Sequence, residues 1–395
     1  MNAEPVAIRP RRSVGFIVSL AISIVCVFAI GALFYPPLRA KILQIEPWTA
    51  DWRTALLSDR TPVAYPEIVV VIINNKTLAG YAYTSPTPRD LLAKVISTID
   101  RAAPKVIGLD FYFIKPTDKD EILIDALQKA KAPVVIGAID RRYPQFAAAE
   151  LEFQKRFLTA TGRAAGYNDL LHDADDVVRY TAPPADSDYP QSFALRVANA
   201  SKPVELVEPT RIAWLLGRGA DLDPFPTMPA EALFVEAGMD APAIEQARRL
   251  SDQLNNKVVL ISGEYPYLDR HRTPLSLRTG GNMLGVKVHA HMVAQLLDGR
   301  RYSVLSAARQ ELLLAGLACF GFTLGWLFWR RRVDFLSLSV ATVALVAIDA
   351  ATYTGARLVL PFTLALWAWF IGVTAGHHFH TVYHAIASGR LRQSA

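Results

Sequence analysis

Cysteine is nearly absent from this 395-residue chain: Cys26 and Cys319 are the only two, and both fall inside long apolar runs. The stretch between those runs, 35–311, has none, which excludes disulfides and thiolate metal sites there. A block of that size holds together by its own apolar core. Catalytic signatures are also missing. There is no Gly-x-Ser-x-Gly elbow, Walker loop, His-Glu-x-x-His pair or kinase motif set, and Gly280-Gly281 lacks the rest of a phosphate cradle. No catalytic residue is therefore assigned, enzymatic activity is not expected, and no cofactor is expected. Charge of one sign is lacking where nucleic acid would need it. The formal charge is +6, yet 35–311 balances 33 Lys and Arg against 33 Asp and Glu. The excess lies in Arg9, Arg11, Arg12, Arg330, Arg331, Arg332, Arg357, Arg390 and Arg392, beside the apolar runs. That placement is a membrane-topology pattern and not a phosphate-binding groove, so nucleic acid is not expected as a partner.

What the chain does have is apolar length. Runs at 14–34, 312–329, 335–353 and 358–376 each match the roughly 17–25 residues a helix needs to cross a bilayer. The sequence thus predicts a cytoplasmic N-terminus over 1–13, four transmembrane helices at those runs, an extracytoplasmic domain over 35–311 and a cytoplasmic tail over 377–395. Placing the flanking arginines inside sets this orientation, although Arg39, Lys41, Arg300, Arg301 and Arg309 then lie outside. The first run is longer than a signal-peptide core, and no clear small-x-small site precedes Tyr35-Pro36-Pro37, so it reads as an uncleaved anchor. The expected location is the inner (plasma) membrane, multi-pass, with lipid as one partner and 35–311 periplasmic or extracellular.

Within the exported block, IVVVII (68–73), KVIGLDFYF (105–113), VVIGAI (134–139) and KVVLISG (257–263) are short continuous apolar runs, as in strands buried on both faces. Helical spacing of Leu91, Leu92, Val95, Ile96 and Ile99 and the amphipathic EILIDALQKA (121–130) separate the first three. Further helices are predicted near 243–255 and at 289–299. From 141 to 250 the pattern loosens into an irregular insertion rich in Pro and Asp. Strands alternating with helices give an α/β class: a mixed, mainly parallel sheet with flanking helices in one extracytoplasmic domain.

Several segments, in order, resemble the type 2 CHASE family of extracytoplasmic sensor domains associated with bacterial cyclases and histidine kinases. They are WTADWRTAL (48–56), IVVVIINNKTLAGYAYTSPTPRDLLAKVI (68–96), KVIGLDFYFIKP (105–116), GYNDLLHDADDVVRYTAP (166–183), YPQSFALRVA (189–198), and KVVLISGEYPYLDRHRTPLS with GVKVHAHMVAQLLDGR (257–276 and 285–300). The resemblance covers roughly 46–300 and implies a sensor fold. Two departures stand out. Asn74 and Asn75 occupy a strand end that is usually acidic in the family, and HHFHTVYHAIASGRLRQSA is too short for the kinase or cyclase domain that usually follows.

In open parallel sheets, ligands sit beyond the carboxyl ends of the strands. Those ends nominate Asn74, Asn75, Asp110, Asp140 and Glu264, with Arg89 opening the first helix and Asp269 and His289 nearby, as a ligand-binding rim. The alternative is that Arg89 and Asp110 only cap or pair to fix loops. Asp269, Arg270, His271 and Arg272 follow the last strand, and His289 and His291 open the final helix. Residues i and i+2 point apart on a helix, so one imidazole is expected to pack and the other to be solvated, and no metal is assigned. His377, His380 and His384 form a helical stripe beside the last run, whether or not it binds anything. Asp349, a charge inside a predicted span, is expected to reach the interface or to pair with Arg357.

The sequence supports a membrane-anchored sensor whose exported domain binds a small solute or envelope protein and acts on a separate cytoplasmic or membrane effector. The alternative is a non-sensing envelope scaffold or assembly subunit. A homodimer is considered, but no small-xxx-small face in the apolar runs establishes one.

Overall fold

The computed structural model describes residues 11–35, 45–61, 64–140, 146–183, 188–205, 210–218, 222–264, 269–327 and 331–387. Arg9, Arg330, Arg390 and Arg392 lie outside the described residues, as do most of the 1–13 segment and the end of the tail. Two compact units result: Thr54–Tyr302, and a second made of Met1–Arg53 with Ser303–Ala395.

In Thr54–Tyr302 the core element is a six-stranded sheet. Its strands are β1 (Ile68–Ile73), β2 (Val106–Asp110), β3 (Val134–Ala138), β4 (Ala164–Tyr167), β5 (Thr227–Pro229) and β6 (Val258–Gly263), in the order β4-β3-β2-β6-β1-β5. Every pairing in it is parallel. Small antiparallel pairs lie outside it, Leu170–His172 with Val178–Thr181 and Arg270–His271 with Met283–Leu284. The expected mixed, mainly parallel α/β architecture is present.

A parallel sheet has to be covered on both faces, and the strand residues divide accordingly. Ile68, Val70, Ile72, Val258 and Leu260 enter one core, while Val69, Val71, Ile73, Val259 and Ile261 enter the other. Side chains alternate across a strand, so a continuous apolar run feeds two cores at once. The helices α3 (Arg89–Arg101), α4 (Asp120–Lys129), α5 (Ala148–Thr161) and α7 (Ala241–Asp252) connect β1 to β2, β2 to β3, β3 to β4 and β5 to β6. All four crossovers step the same way across the sheet, so right-handed connection puts all four helices on one face. Their apolar residues duly share the core of Val69 and Ile261. Helices α6 (Phe193–Ser201) and α8 (Gly285–Asp298) cover the opposite face.

The 141–250 segment is not an irregular insertion. It supplies both edge strands, β4 and β5, and helices α5, α6 and most of α7. The edge strands escape sequence reading because they are short and only half supported. Ala164–Tyr167 has no β-branched residue, and Pro229 is tolerated in β5 because that strand pairs only with β1. Helix α8 starts four residues before the predicted position.

The second unit contains α1 (Arg11–Phe34), the first part of α2 (Glu46–Leu57), α9 (Ala307–Leu327), α10 (Arg331–Gly355) and α11 (Phe362–Ala387). Four spans were expected. Among the described residues, Ala307–Leu327 and Leu338–Gly355 are long and apolar enough to cross a membrane, and Phe16–Ala29 of α1 is a shorter apolar stretch. Helix α11 is long, but Trp367, Trp369, His377 and His378 dilute its hydropathy.

Helix α11 nevertheless packs intimately on α9 through two facing Gly-xxx-Gly pairs, Gly321/Gly325 and Gly372/Gly376. A Cβ at Gly321 would lie 2.8 Å from the Trp369 carbonyl oxygen, and Cβ atoms at Gly325, Gly372 and Gly376 would overlap the carbonyl oxygens of Val373, Ala318 and Phe322. Small-xxx-small faces are therefore present after all, and they are used within one chain to bring two backbones together. Residue numbers rise together along the seam, so α9 and α11 run parallel, with α10 as the return segment between them. Near the other end of α11, His378 lies 3.3 Å from Ser19 of α1. His380 and His384 stack at 4.2 Å between ring centroids, and Trp326 packs edge-on to His380.

Asp349 pairs not with Arg357 but with Arg53 of α2, both side chains nearly sealed from solvent. Arg53 also donates to the Leu360 carbonyl at 3.3 Å and lies over the Tyr353 ring. Removing one partner strands a buried charge. Asp349→Ala is therefore expected to cost about 3–5 kcal/mol, read as a lowered unfolding midpoint in detergent. The double variant Arg53→Leu/Asp349→Leu should recover much of that loss, and additivity of the two single costs would show that the ion pair does not couple them.

Candidate functional site

The carboxyl ends of the strands carry two neighbouring polar features. The first is an open cleft of about 450 Å3 lined by Asn74, Asn75, Lys76, Pro229, Glu231, Glu264 and Arg270. Asn74 follows β1 directly. Its side-chain oxygen accepts from the Lys76 and Thr77 amides at 2.8 and 3.1 Å, an Asx turn that holds the loop after the strand and leaves Asn75 and Lys76 exposed. Glu264 follows β6 and accepts from Arg270 Nη2 at 2.7 Å. Glu231 accepts from the Thr77 hydroxyl. Amides, two cations and two carboxylates thus share one rim, and the ion pair in the cleft, Glu264–Arg270, is half exposed. A charged solute can exchange with an exposed pair of this kind at low cost, because such pairs contribute little in water.

The second feature lies beside the ends of β2 and β6. Asp110 ends β2 and accepts from the Asn168 side-chain amide, while its other oxygen is buried without a partner. Asp269 sits in the left-handed backbone region, φ 51°, and its main-chain oxygen accepts from Gly285 N at 3.0 Å. A Cβ at 285 would overlap the Asp269 carboxylate, so any larger residue there has to displace that side chain. One turn along α8 from Gly285 stands His289, buried, with Nδ1 unpartnered and its ring edge-on to Phe193 at 5.3 Å. His271 lies 2.9 Å from Asp269 Oδ1 through Nε2, and its Nδ1 lies 2.9 Å from His172 Nε2. Because a carboxylate only accepts, His271 donates from Nε2, and when the ring is neutral it accepts at Nδ1 from His172. A hydrogen-bonded chain thus runs from exposed His172 to Asp269.

Burial, and next the Asp269 charge, push the Asp110 carboxyl up to about 7, against the opposing pull of Asn168 and Ser262. Although the residue is only half-buried, its unpartnered oxygen is closed off, which is why desolvation dominates. Burial drives His289 down to about 4, with Asp269 opposing and His271 reinforcing the shift. Burial and the neighbouring His271 lower His172 as well. Near neutrality this cluster holds an acid that is partly protonated beside an imidazole that is neutral, an inversion of the usual order.

The eight rim residues therefore separate. Asn74, Asn75 and Glu264 line the cleft, and Asp110, Asp269 and His289 form the inner cluster. Arg89 joins neither. It is buried with Nε on Asp120 at 2.8 Å and Nη2 on the Lys115 carbonyl at 3.2 Å, over the Phe113 ring at 4.7 Å, where it fixes the loop after β2. Asp140 lines a separate small cavity of about 40 Å3 with Gln154 and Tyr189. The expectation that one of His289 and His291 is solvated is wrong. Both are buried, because Ile212, Trp214, Leu215, Leu216 and Phe225 pack on α8 in the same core. His291 accepts from Leu215 N at 3.2 Å and packs against Trp214 and Phe225. Asn168 and His172 were missed as site residues. They lie in GYNDLLHD, which has no periodicity, and only the fold brings them to Asp110 and His271. Among the described residues no group of three or more His, Cys, Asp or Glu side chains is arranged to hold a metal ion.

Residues 23–329 match the family model described as the CHASE2 domain, which bears out the resemblance over 46–300 and extends it into α1 and across α9. Neither a curated protein nor a solved structure matches the chain.

An acid whose folded-state pKa lies above its unfolded value supports folding at low pH and loses that support as pH rises from about 4 to about 7. Asp110→Asn keeps the Asn168 contact without the charge. Its unfolding midpoint should match the parent near pH 4 and exceed it increasingly up to pH 8. An equal offset at every pH would show that Asp110 titrates normally.

Proposed function

The chain belongs to the CHASE2 domain family, an extracellular sensor family of signal transduction, and on that premise we propose that it is a multi-pass plasma-membrane receptor whose exported domain binds a small polar solute. The observation that carries this reading is the cleft beyond β1, β6 and β5, where Asn74, Asn75, Lys76, Glu231, Glu264 and Arg270 converge. Its position at the carboxyl ends of parallel strands is where such sheets bind ligands. The mixture of amides with both charge signs suits a solute that carries charge and hydrogen-bonding groups, not an apolar one.

Four spans fit this reading. Helix α9 is long and apolar enough to cross the bilayer. Helix α11 runs parallel to it along the glycine seam, so α11 occupies the same layer, α10 returns the chain between them, and the basic flanks face the cytoplasm. The protein acts as a binding protein without chemistry of its own. Ligand binding shifts the population of domain states, and a separate membrane or cytoplasmic effector reads the shift through the helices.

The test is thermal unfolding of the full chain in detergent across a panel of amino acids, organic acids, polyamines and sugars. A true ligand at a hundredfold excess over its Kd stabilises by about 2.7 kcal/mol, and Arg270→Gln, which removes the cation without setting a like charge beside Glu264, should abolish that shift with little change in the unliganded midpoint. No shift from any solute, together with stoichiometric co-purification of one envelope protein, would instead establish a scaffold.

A further inference from the structure

One face of α2 is exposed although it carries two tryptophans. Trp48 and Trp52 are 54% and 38% exposed, lie on one side of the helix at i and i+4, and touch edge to face with ring centroids 6.2 Å apart. The other side of the same helix is fixed by polar contacts. Glu46 accepts from the amides of Thr363 and Leu364 at 2.9 and 3.3 Å, supplying the first turn of α11 with an acceptor that its own sequence lacks. Thr49 and Thr363 hydroxyls lie 2.9 Å apart. Arg53 is paired with Asp349 and bonded to the Leu360 carbonyl.

These partners define a depth. Thr363 and Leu364 open α11, Leu360 lies in the connection from α10, and Asp349 is six residues from the last residue of α10, Gly355. At the rise of an α-helix, Asp349 lies roughly 9 Å below that end. Residues 46–53 are therefore held across the ends of α10 and α11, where spanning helices pass from hydrocarbon to headgroups. An indole presents a broad apolar body and a single N–H donor, which suits this layer better than either water or hydrocarbon.

We infer that the Trp48–Trp52 face of α2 docks on lipid, lying in the headgroup region of the bilayer beside the outer ends of α10 and α11. The inference rests on the spanning helices proposed above and adds a lipid contact made by a segment that does not span. Helix α2 is then a surface-bound helix anchored on its polar side to protein and on its aromatic side to the membrane.

The test uses the full chain with Cys26→Ala and Cys319→Ala, reconstituted in phosphatidylcholine vesicles. A single cysteine is introduced by Trp52→Cys, or at the exposed mid-span position by Val343→Cys, and labelled with an environment-sensitive nitrobenzoxadiazole. The Trp52 label should show blue-shifted emission and lose intensity to a nitroxide carried near the lipid headgroup. The Val343 label should lose it to a nitroxide near the acyl-chain end. Trp48→Cys should repeat the Trp52 result and guards against a local failure to fold. If the Val343 label is quenched from within the lipid while the Trp52 and Trp48 labels respond only to an aqueous quencher, the lipid contact is refuted and the spanning helices stand. If no label is quenched from the lipid, the spanning reading fails and takes this inference with it. Self-quenching of the Trp52 label that rises with protein density, without lipid quenching, would assign the face to a second copy and overturn the inference.

Discussion

A sheet whose strands all run one way cannot leave a face in water, and much of the exported domain follows from that restriction. Six parallel strands need five long connections, and four of these step in one direction, so handedness stacks four helices on one side. The other side has to be closed by different means. Helix α6, on the return from β4 to β5, and α8, after β6, do this, and α8 is itself covered by Ile212, Trp214, Leu215, Leu216 and Phe225. This overcoat explains why α8 is buried around its circumference and can carry two imidazoles with no access to water. Parallel strands also deliver all their carboxyl ends to one edge. The open cleft and the buried titrating cluster both arise there.

The cleft and the cluster divide electrostatic labour in a way that their depths dictate. In the cleft, Glu264 and Arg270 are half exposed and their pairing is weak enough to exchange for a ligand. A few residues away, Asp110 and His289 have polar atoms closed off from solvent, and both feel the charge of the exposed Asp269 carboxylate. The two regions are joined covalently, since Asp269, Arg270 and His271 are consecutive. Arg270 and His271 also form the strand pair with Met283–Leu284, next to the hydrogen bond from Gly285 N to the Asp269 carbonyl.

What could be read from sequence was whatever produced a local pattern. IVVVII gave β1 to the residue because every position is buried and β-branched, and KVVLISG gave β6 within one residue. Strand ends then pointed to Asn74, Asn75 and Glu264, which do meet in one cleft. Edge strands β4 and β5 were illegible because three or four unremarkable residues pair only by virtue of their neighbours. The same holds for side-chain partners far apart along the chain. His172 and His271 are 99 residues apart, and Arg53 and Asp349 are 296 apart. Arg89 looked like a ligand-binding cation because it opens a helix beside the sheet, but a guanidinium in that position serves equally to tie down a loop, and here it does. The glycines of α9 and α11 were in plain view, yet their purpose emerges only when the two helices are laid side by side.

The Arg53–Asp349 and Glu46–Thr363 contacts carry a consequence for how the polypeptide divides into separable parts. Family resemblance stops at residue 329, but the groups that neutralise Arg53 and receive Glu46 lie at 349 and 363. The inherited module and the self-sufficient module are therefore different lengths. A gene fusion or expression fragment trimmed to the familial limit would inherit a stranded guanidinium at its own threshold, and natural rearrangements that swap the last two helices would have to bring their own counter-charge with them.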